Sequence, residues 1–143
     1  MSKTIKLKRY VDIVDQREAA AAILPGMLVS ITTTGTVQPH AVAAGRVLTA
    51  IALEDELQGK TIRDGYVATD PVQIWYPQRG EQALMLLAAG QTIPVGGNLV
   101  SAGNGALRVP IAPELDTASI VGQALEAVTA PGGAMAFVKV LIY

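Results

Sequence analysis

Short apolar segments rich in β-branched residues, separated by turns that contain glycine or proline, run through most of the chain. Residues 28–33 are the clearest example, because valine, isoleucine and threonine favour the extended backbone of a strand. Thr34 and Gly35 follow as a hairpin turn. Residues 46–53 are apolar without alternation, which predicts a strand buried on both faces. The pattern therefore predicts a mainly β protein.

Three segments of the second half repeat three segments of the first half at an offset of roughly 70 residues: residues 93–101 repeat 23–30, residues 103–110 repeat 34–39, and residues 119–126 repeat 46–54. An internal repeat predicts two structural units of the same kind. We expect two related β units, at about residues 23–76 and 93–143, within a single β domain of residues 15–143. A compact β-barrel or a sandwich of two sheets would accommodate them.

Residues 15–24 form the best helix candidate of the chain. This segment contains four consecutive alanines, and alanine has the highest helix propensity. Asp15 could cap the helix, and Glu18 stands three residues later, as in a capping box. Pro25 and Gly26 would end it. The segment predicts a helix of about two turns, which packing would have to stabilise.

Residues 1–14 read as an extended N-terminal arm. Ile5 and Leu7 alternate with Lys6, Lys8 and Tyr10, which is the period of a strand. The arm is also the most basic part of the chain. One interpretation is a solvated edge strand that its lysines protect from aggregation. The other is an arm that adds as a strand to a neighbouring subunit.

The composition excludes several classes of protein. The chain has 143 residues, of which 50% are hydrophobic and 16% charged, and it suits one ordered domain. A net charge of -1 gives no reason to expect nucleic-acid binding. The absence of cysteine excludes disulfides and thiolate metal sites. No signal peptide is recognisable, and the apolar runs are too short to span a bilayer, so we expect no membrane contact.

Candidate chemistry is sparse. His40 is the only histidine, and its position beside Pro39 predicts a surface loop residue. The carboxylates at residues 54–56 predict a solvated loop, with a weak Ca²⁺ site as the alternative. No nucleophile elbow, phosphate loop or histidine-rich metal motif is present. We therefore expect no catalytic residue, metal or cofactor, and no enzymatic activity.

Trp75 is the only tryptophan, and its place in the alternation matters. Val72, Ile74 and Tyr76 alternate with Gln73 and Trp75 in a predicted strand. If Val72 and Ile74 face the core, Trp75 faces outward, where tryptophan is enriched at protein interfaces. Trp75 could equally cover a neighbouring loop of its own domain.

Glycine and apolar positions of the second half follow a fixed order: Ala88-x-Gly90, Ile93-x-x-Gly96, Leu99-x-Ser101-x-Gly103-x-Gly105-x-Leu107, Ile120-x-Gly122-x-Ala124-Leu125-Glu126 and Val138-x-Val140. The first half and the middle add residues 52–60, Asp70, Val72 and residues 77–81. Together these positions resemble the small head-decoration, or capsid cement, proteins of tailed bacteriophages. The resemblance covers most of the chain from about Pro25 onward.

The resemblance implies a β-barrel or sandwich-like domain, including a strand within residues 82–90, where propensity alone favours a helix. It also implies a virion protein, made in the host cytoplasm, on the outer surface of the capsid. Such a protein forms a homotrimer, contacts the major capsid protein and needs no cofactor. We combine the resemblance with the basic N-terminal arm and the predicted outward position of Trp75. The protein-interface residues that we then expect are Lys3, Ile5, Leu7, Lys8, Tyr10, Trp75, Tyr76 and Arg79.

Two alternatives stay open at the level of sequence. The chain could be another virion component, such as a tail or fibre module built from similar β units. It could also be a small-ligand or glycan-binding β domain, or a carbohydrate-active enzyme, which would need exposed aromatic side chains. Aromatic residues make up only 4% of the chain.

Overall fold

The structure is a computed structural model that describes residues 3–9, 12–114 and 117–143. The N-terminal half contains β1 (Lys6–Lys8), β2 (Val14–Glu18), β3 (Val29–Ile31), β4 (Val37–Pro39), β5 (Ile51–Ala52) and β6 (Pro71–Trp75). The C-terminal half contains β7 (Gln82–Leu87), β8 (Thr92–Ile93), β9 (Asn98–Ser101), β10 (Leu107–Arg108), β11 (Ile120–Ala124), β12 (Val128–Thr129) and β13 (Ala136–Ile142). Short 3-10 helices cover Glu56–Gln58 and Ala112–Glu114.

The protein is mainly β, as the sequence predicts. Over the described residues there is no α-helix, and no helix is long and apolar enough to cross a membrane. Five strands of the C-terminal half close into a barrel in the order β7-β10-β9-β11-β13, and β13 pairs back onto β7. In β13, Val138 and Val140 are buried and alternate with the exposed Lys139. This period-two pattern fills the barrel with apolar side chains.

The N-terminal half repeats this topology. It contains the sheet β2-β6-β5 and the hairpin β3-β4, and isolated bridges join them at Leu28–Ile51 and at Ala19–Val37. The cyclic order is that of the barrel, with β2 equivalent to β7, β3 to β9, β4 to β10, β5 to β11 and β6 to β13. We call β2 to β6 unit one and β7 to β13 unit two. The prediction of two related β units is confirmed, and the structural match begins one strand earlier in each unit than the sequence match.

Matching hydrogen bonds show which residue of unit one is equivalent to which residue of unit two. Gly26 donates its N–H to the carbonyl of Ala52 at 2.8 Å, and Gly96 donates to the carbonyl of Ala124 at 2.7 Å. Both glycines have positive φ, at 90° and 80°, where a residue with a Cβ would be strained. The repeated glycine thus marks the same tight turn in both units.

The helix predicted for residues 15–24 is wrong. Val14–Glu18 is strand β2, which pairs along its whole length with β6. Five cross-strand pairs outweigh the intrinsic propensity of a two-turn helix, which is marginal in isolation. Ala19 is buried in the unit-one core beside Val37, where a small side chain fits. Its alanine therefore reflects packing and not a helix.

The strand predicted within residues 82–90 is confirmed as β7. Five of its six residues are buried, because both of its faces are covered. Met85 and Leu87 belong to the buried cluster that the barrel shares with Trp75, whereas Leu86 packs into the core of unit one. An apolar stretch without alternation is typical of such a strand.

The two units meet through backbone hydrogen bonds as well as apolar contacts. Leu28 donates its N–H to the carbonyl of Gly105 at 2.8 Å, and Gly105 donates to the carbonyl of His40 at 3.1 Å. Leu86 donates to the carbonyl of Gly26 at 3.1 Å. Three such bonds between buried residues make the junction part of the folded core.

Candidate interaction surface

The N-terminal strand lies on the edge of its own barrel. β1 pairs antiparallel with β7, with Lys6 opposite Ala83 and Lys8 opposite Gln82. It fills the end of β7 that β10 leaves unpaired, since β10 meets β7 at the Leu107–Leu87 pair. This arrangement matches the edge-strand interpretation, in which the lysines keep a free edge soluble.

Ile5 is anchored and has no free surface. Its side chain is fully buried in the cluster that contains Trp75. Its carbonyl accepts the N–H of Leu84 at 2.8 Å, and its own N–H donates to Glu54 Oε2 at 3.1 Å. Glu54 is therefore buried, whereas the sequence predicted a solvated carboxylate, because it satisfies an amide that would otherwise be orphaned.

Trp75 does not face outward, so that prediction is wrong. Its side chain has no exposed surface. Val72 and Ile74 point into the core of unit one, and Trp75 points the other way, into the cluster shared with Ile5 and the barrel. Both faces of β6 are covered, so alternation does not separate buried from exposed positions here. The indole N–H has no hydrogen-bond partner among the described residues.

Tyr76 and Arg79 lie at the end of β6 and in the turn that follows. Tyr76 is half-buried, and its hydroxyl donates to Asp15 Oδ2 at 3.4 Å. The Gln16 backbone N–H beside Asp15, helped by Arg17, holds the pKa of that carboxyl below its usual value. Arg79 is exposed, and its guanidinium stacks over the ring of Tyr143 at 4.7 Å from the centroid.

The arm and the turn after β6 meet at a groove. We call it the arm groove; its lining residues are Leu7, Lys8, Arg9, Asp12, Gly80, Glu81 and Gln82. Lys8 is exposed and has no ion pair within the described ranges, whereas Arg9 lies 3.5 Å from Asp12. Arg79 is a further exposed cation, and it lines a second groove together with Gly80 and Tyr143. Leu7 and Lys8 thus line one groove and Arg79 lines the next, with Gly80 common to both.

The other predicted contact residues lie elsewhere. Lys3 is exposed but lines a separate groove with Glu54 and Arg63. Tyr10 lies outside the described residues. Of the eight predicted residues, Ile5 and Trp75 are core residues, and an interface role would require them to be uncovered.

His40 is buried, and its predicted position on the surface is wrong. Its Nε2 lies 3.2 Å from the carbonyl of Arg46 and its Nδ1 lies 2.7 Å from Ser101 Oγ. A carbonyl can only accept, so Nε2 carries a proton, and in the neutral ring Nδ1 accepts from the serine hydroxyl. Ser101 Oγ in turn accepts the N–H of Gly103 at 3.1 Å. The network joins unit one to unit two, and no local sequence signal distinguishes His40 from a loop histidine.

We call residues 54–70 the acidic loop, and its Asp64 and Asp70 accept hydrogen bonds within the loop's own turns. Asp64 accepts the N–H of Thr61 at 2.8 Å, and this bond is the main reason that the pKa of Asp64 lies below its usual value. Asp70 accepts the N–H of Val67 in the same way at 3.0 Å. In the described part of the chain, no three side chains of His, Cys, Asp or Glu are grouped so that they could hold a metal ion.

No protein family and no curated protein matches the sequence. Among solved structures, the chain is similar to the head fiber gp8.5 N base of bacteriophage phi29, with 17% sequence identity and a TM-score of 0.59. The likeness covers 93% of this chain and 95% of that one. At this identity the comparison establishes a shared fold, and it does so over nearly the whole of both chains.

Proposed function

We propose that this chain is a structural protein of a phage virion. It binds the outer surface of the head, where it stabilises contacts between major capsid subunits. Its copies associate as homotrimers, and neither a cofactor nor nucleic acid takes part.

The likeness of fold to a component of a phage head carries the proposal. It extends over 93% of the chain, so both units share it. The order of glycine and apolar positions in the sequence resembles head-decoration proteins and supports the same class. The buried His40–Ser101 pair and the self-bonded acidic loop suit a structural part, since each is satisfied within the chain.

Binding to isolated shells tests the proposal. Purified protein would be mixed with shells of major capsid protein that lack it, the shells sedimented, and the bound copies counted. Saturable binding at a fixed ratio to capsid subunits, with a rise in the temperature at which the shells rupture, is the expected result. Protein that stays in the supernatant at every concentration would refute a role on the head.

The arm groove and the neighbouring Arg79 are the proposed contact with the shell, because the exposed cations Lys8 and Arg79 can steer an acidic surface into register. Lys8→Glu and Arg79→Glu should each weaken shell binding, most strongly at low salt. Lys139→Glu is the matched control, since Lys139 is an exposed lysine on the outside of the barrel that does not line the groove. Equal effects of all three substitutions would assign the contact to another surface. Truncation is a poorer test, because it would remove the core residue Ile5.

A fibre module is the second candidate, because the neighbour of known structure is the base of a head fiber. Copy number separates the two. On the cement proposal the chain is present at close to one copy for each capsid subunit, and a copy number far below that would favour the fibre module. Quantitative mass spectrometry of intact virions would decide between them.

A further inference from the structure

The junction between the two units uses one face of each unit. Because the units repeat, each unit also has the equivalent of the face that the other unit uses. We define the acceptor face of unit one as the residues that receive unit two: Gly26, Met27, Leu28, Pro39 and His40. We define the hairpin face of unit two as the residues that insert there: Leu84, Leu86, Ser101 and Gly105. All of these residues are buried except Pro39, which is half-buried.

The repeat gives the chain a second copy of each face, left uncovered by the part of the chain that the structure describes. The second acceptor face, on unit two, consists of Gly96, Gly97, Asn98, Val109 and Pro110. The second hairpin face, on unit one, consists of Gln16, Glu18, Ile31 and Gly35. Each of these residues is exposed or half-exposed, although its counterpart at the junction is buried in every case except Pro39.

The second acceptor face keeps the features that receive a hairpin. Gly26 is crowded at the junction, since a Cβ there would lie 3.2 Å from Phe137 and 3.3 Å from the carbonyl of Leu84. Gly96 keeps the same turn with empty space around it. Val95, beside it, exposes 67% of its surface, whereas the equivalent Pro25 is buried. Val95 is therefore an apolar side chain, next to this face, that an incoming hairpin would cover.

The second hairpin face keeps the feature that inserts. Gly35 and Gly105 both have a φ of 85°, so the two hairpins turn in the same way. Ile31 stands at the position of Ser101 and exposes 44% of its surface. The carbonyl of Gly35 accepts Arg17 Nη1 at 3.0 Å, where the carbonyl of Gly105 accepts a backbone N–H of the acceptor face. Arg17 thus satisfies this group in the free chain.

We infer that the hairpin face of one copy binds the acceptor face of a second copy, in the way that unit two binds unit one within the chain. The partner is a second copy because this chain presents both halves of a contact that it already makes internally. Such a contact is heterologous, so it closes into a ring or continues as a filament according to its rotation. Gln16 and Glu18 replace Leu84 and Leu86, so the contact between copies is more polar and dissociates more readily than the internal one.

Two complementary variants test the inference without any shell, so its failure would leave head binding standing. Ile31→Glu blocks the hairpin face and Val95→Glu blocks the acceptor face. Leu57→Glu is the control, because Leu57 is 84% exposed and lies on neither face. Mass is measured by light scattering after size exclusion, and by native mass spectrometry.

The expected result is that the unchanged protein and Leu57→Glu self-associate, while each face variant alone is monomeric. An equimolar mixture of the two face variants then forms a dimer and nothing larger, because one intact pair of faces remains. Recovery of this dimer also shows that both variants are folded. A monomeric unchanged protein, face variants that associate as the control does, or a mixture that stays monomeric would each overturn the inference.

Discussion

At the scale of single residues, Tyr66 joins the acidic loop to the core of unit one. It is 5% exposed, and its hydroxyl donates to the carbonyl of Leu53 at 2.7 Å. Burial raises the pKa of Tyr66 to about 12, because the phenolate would lose its hydration. The neutral phenol is therefore the form that stabilises the fold.

The sign of this shift predicts a loss of stability in alkali. A raised pKa in the folded state adds stability that is complete below the unfolded value of about 10 and disappears as the pH rises through about 12. Tyr66→Phe should lower the free energy of unfolding by about 1 kcal/mol near neutral pH, through the lost hydrogen bond. The variant should then lose less stability in alkali than the unchanged protein. Urea titrations at increasing pH would measure this, and parallel pH profiles would contradict it.

Alanine substitutions at Gly35 and Gly105 distinguish the cost of backbone strain from the cost of crowding at the junction. Both have a φ of 85°. A Cβ on Gly105 would lie 3.0 Å from Met27 Sδ and 3.0 Å from Pro39 Cβ, whereas the nearest atom to a Cβ on Gly35 is Arg17 Nη1 at 3.6 Å. Gly35→Ala should cost about 1 kcal/mol of stability from backbone strain alone. Gly105→Ala should cost about 1–3 kcal/mol more, since overpacking adds to the strain. Equal losses in thermal or urea unfolding would show that the junction can relax around the methyl group.

At the scale of elements, β1 belongs to the core as much as to the surface. Ile5 is fully buried, its N–H is held by Glu54, and its carbonyl is held by β7. Ile5→Ala should lower the free energy of unfolding by about 2–4 kcal/mol, through lost burial and the cavity left behind. Leu7→Ala is the control on the same strand, and a smaller loss is expected because Leu7 is half-buried. Similar small losses from both variants would mean that the segment contributes little to the stability of the chain.

The elements also show what the sequence could predict. Glycine turns and apolar strands repeat with the period of the fold, so the β class and the two units were recognisable. The helix prediction at residues 15–24 was wrong because alanine is common both in helices and at tightly packed positions such as Ala19. The outward prediction for Trp75 failed because alternation assumes one exposed face, and unit two covers the second face of β6. A junction between two halves of one chain leaves no signal in the local sequence. For the same reason His40 was wrongly predicted to lie on the surface.

At the scale of the whole molecule, the two units are joined by more than their linker. One buried cluster contains Leu28 and Ile51 of unit one, Leu99 and Val138 of unit two, and Trp75. Opening the junction would expose this apolar surface and leave backbone groups such as the N–H of Gly105 without partners. A repeat protein whose units shared little surface could unfold one unit at a time, but a shared core couples them.

We therefore expect the chain to unfold in a single cooperative transition, and Trp75 makes this measurable. It is the only tryptophan and it lies in the cluster that the units share, so its fluorescence reports on the junction. Far-ultraviolet circular dichroism reports on the strands of both units. In urea the two signals should change with the same midpoint and slope, as a two-state transition requires. If the fluorescence changed at lower urea than the dichroism, the units would separate before they unfold. Their contact would then be a docking of two stable domains, and the Gly105→Ala variant should shift the fluorescence midpoint while leaving the dichroism midpoint in place.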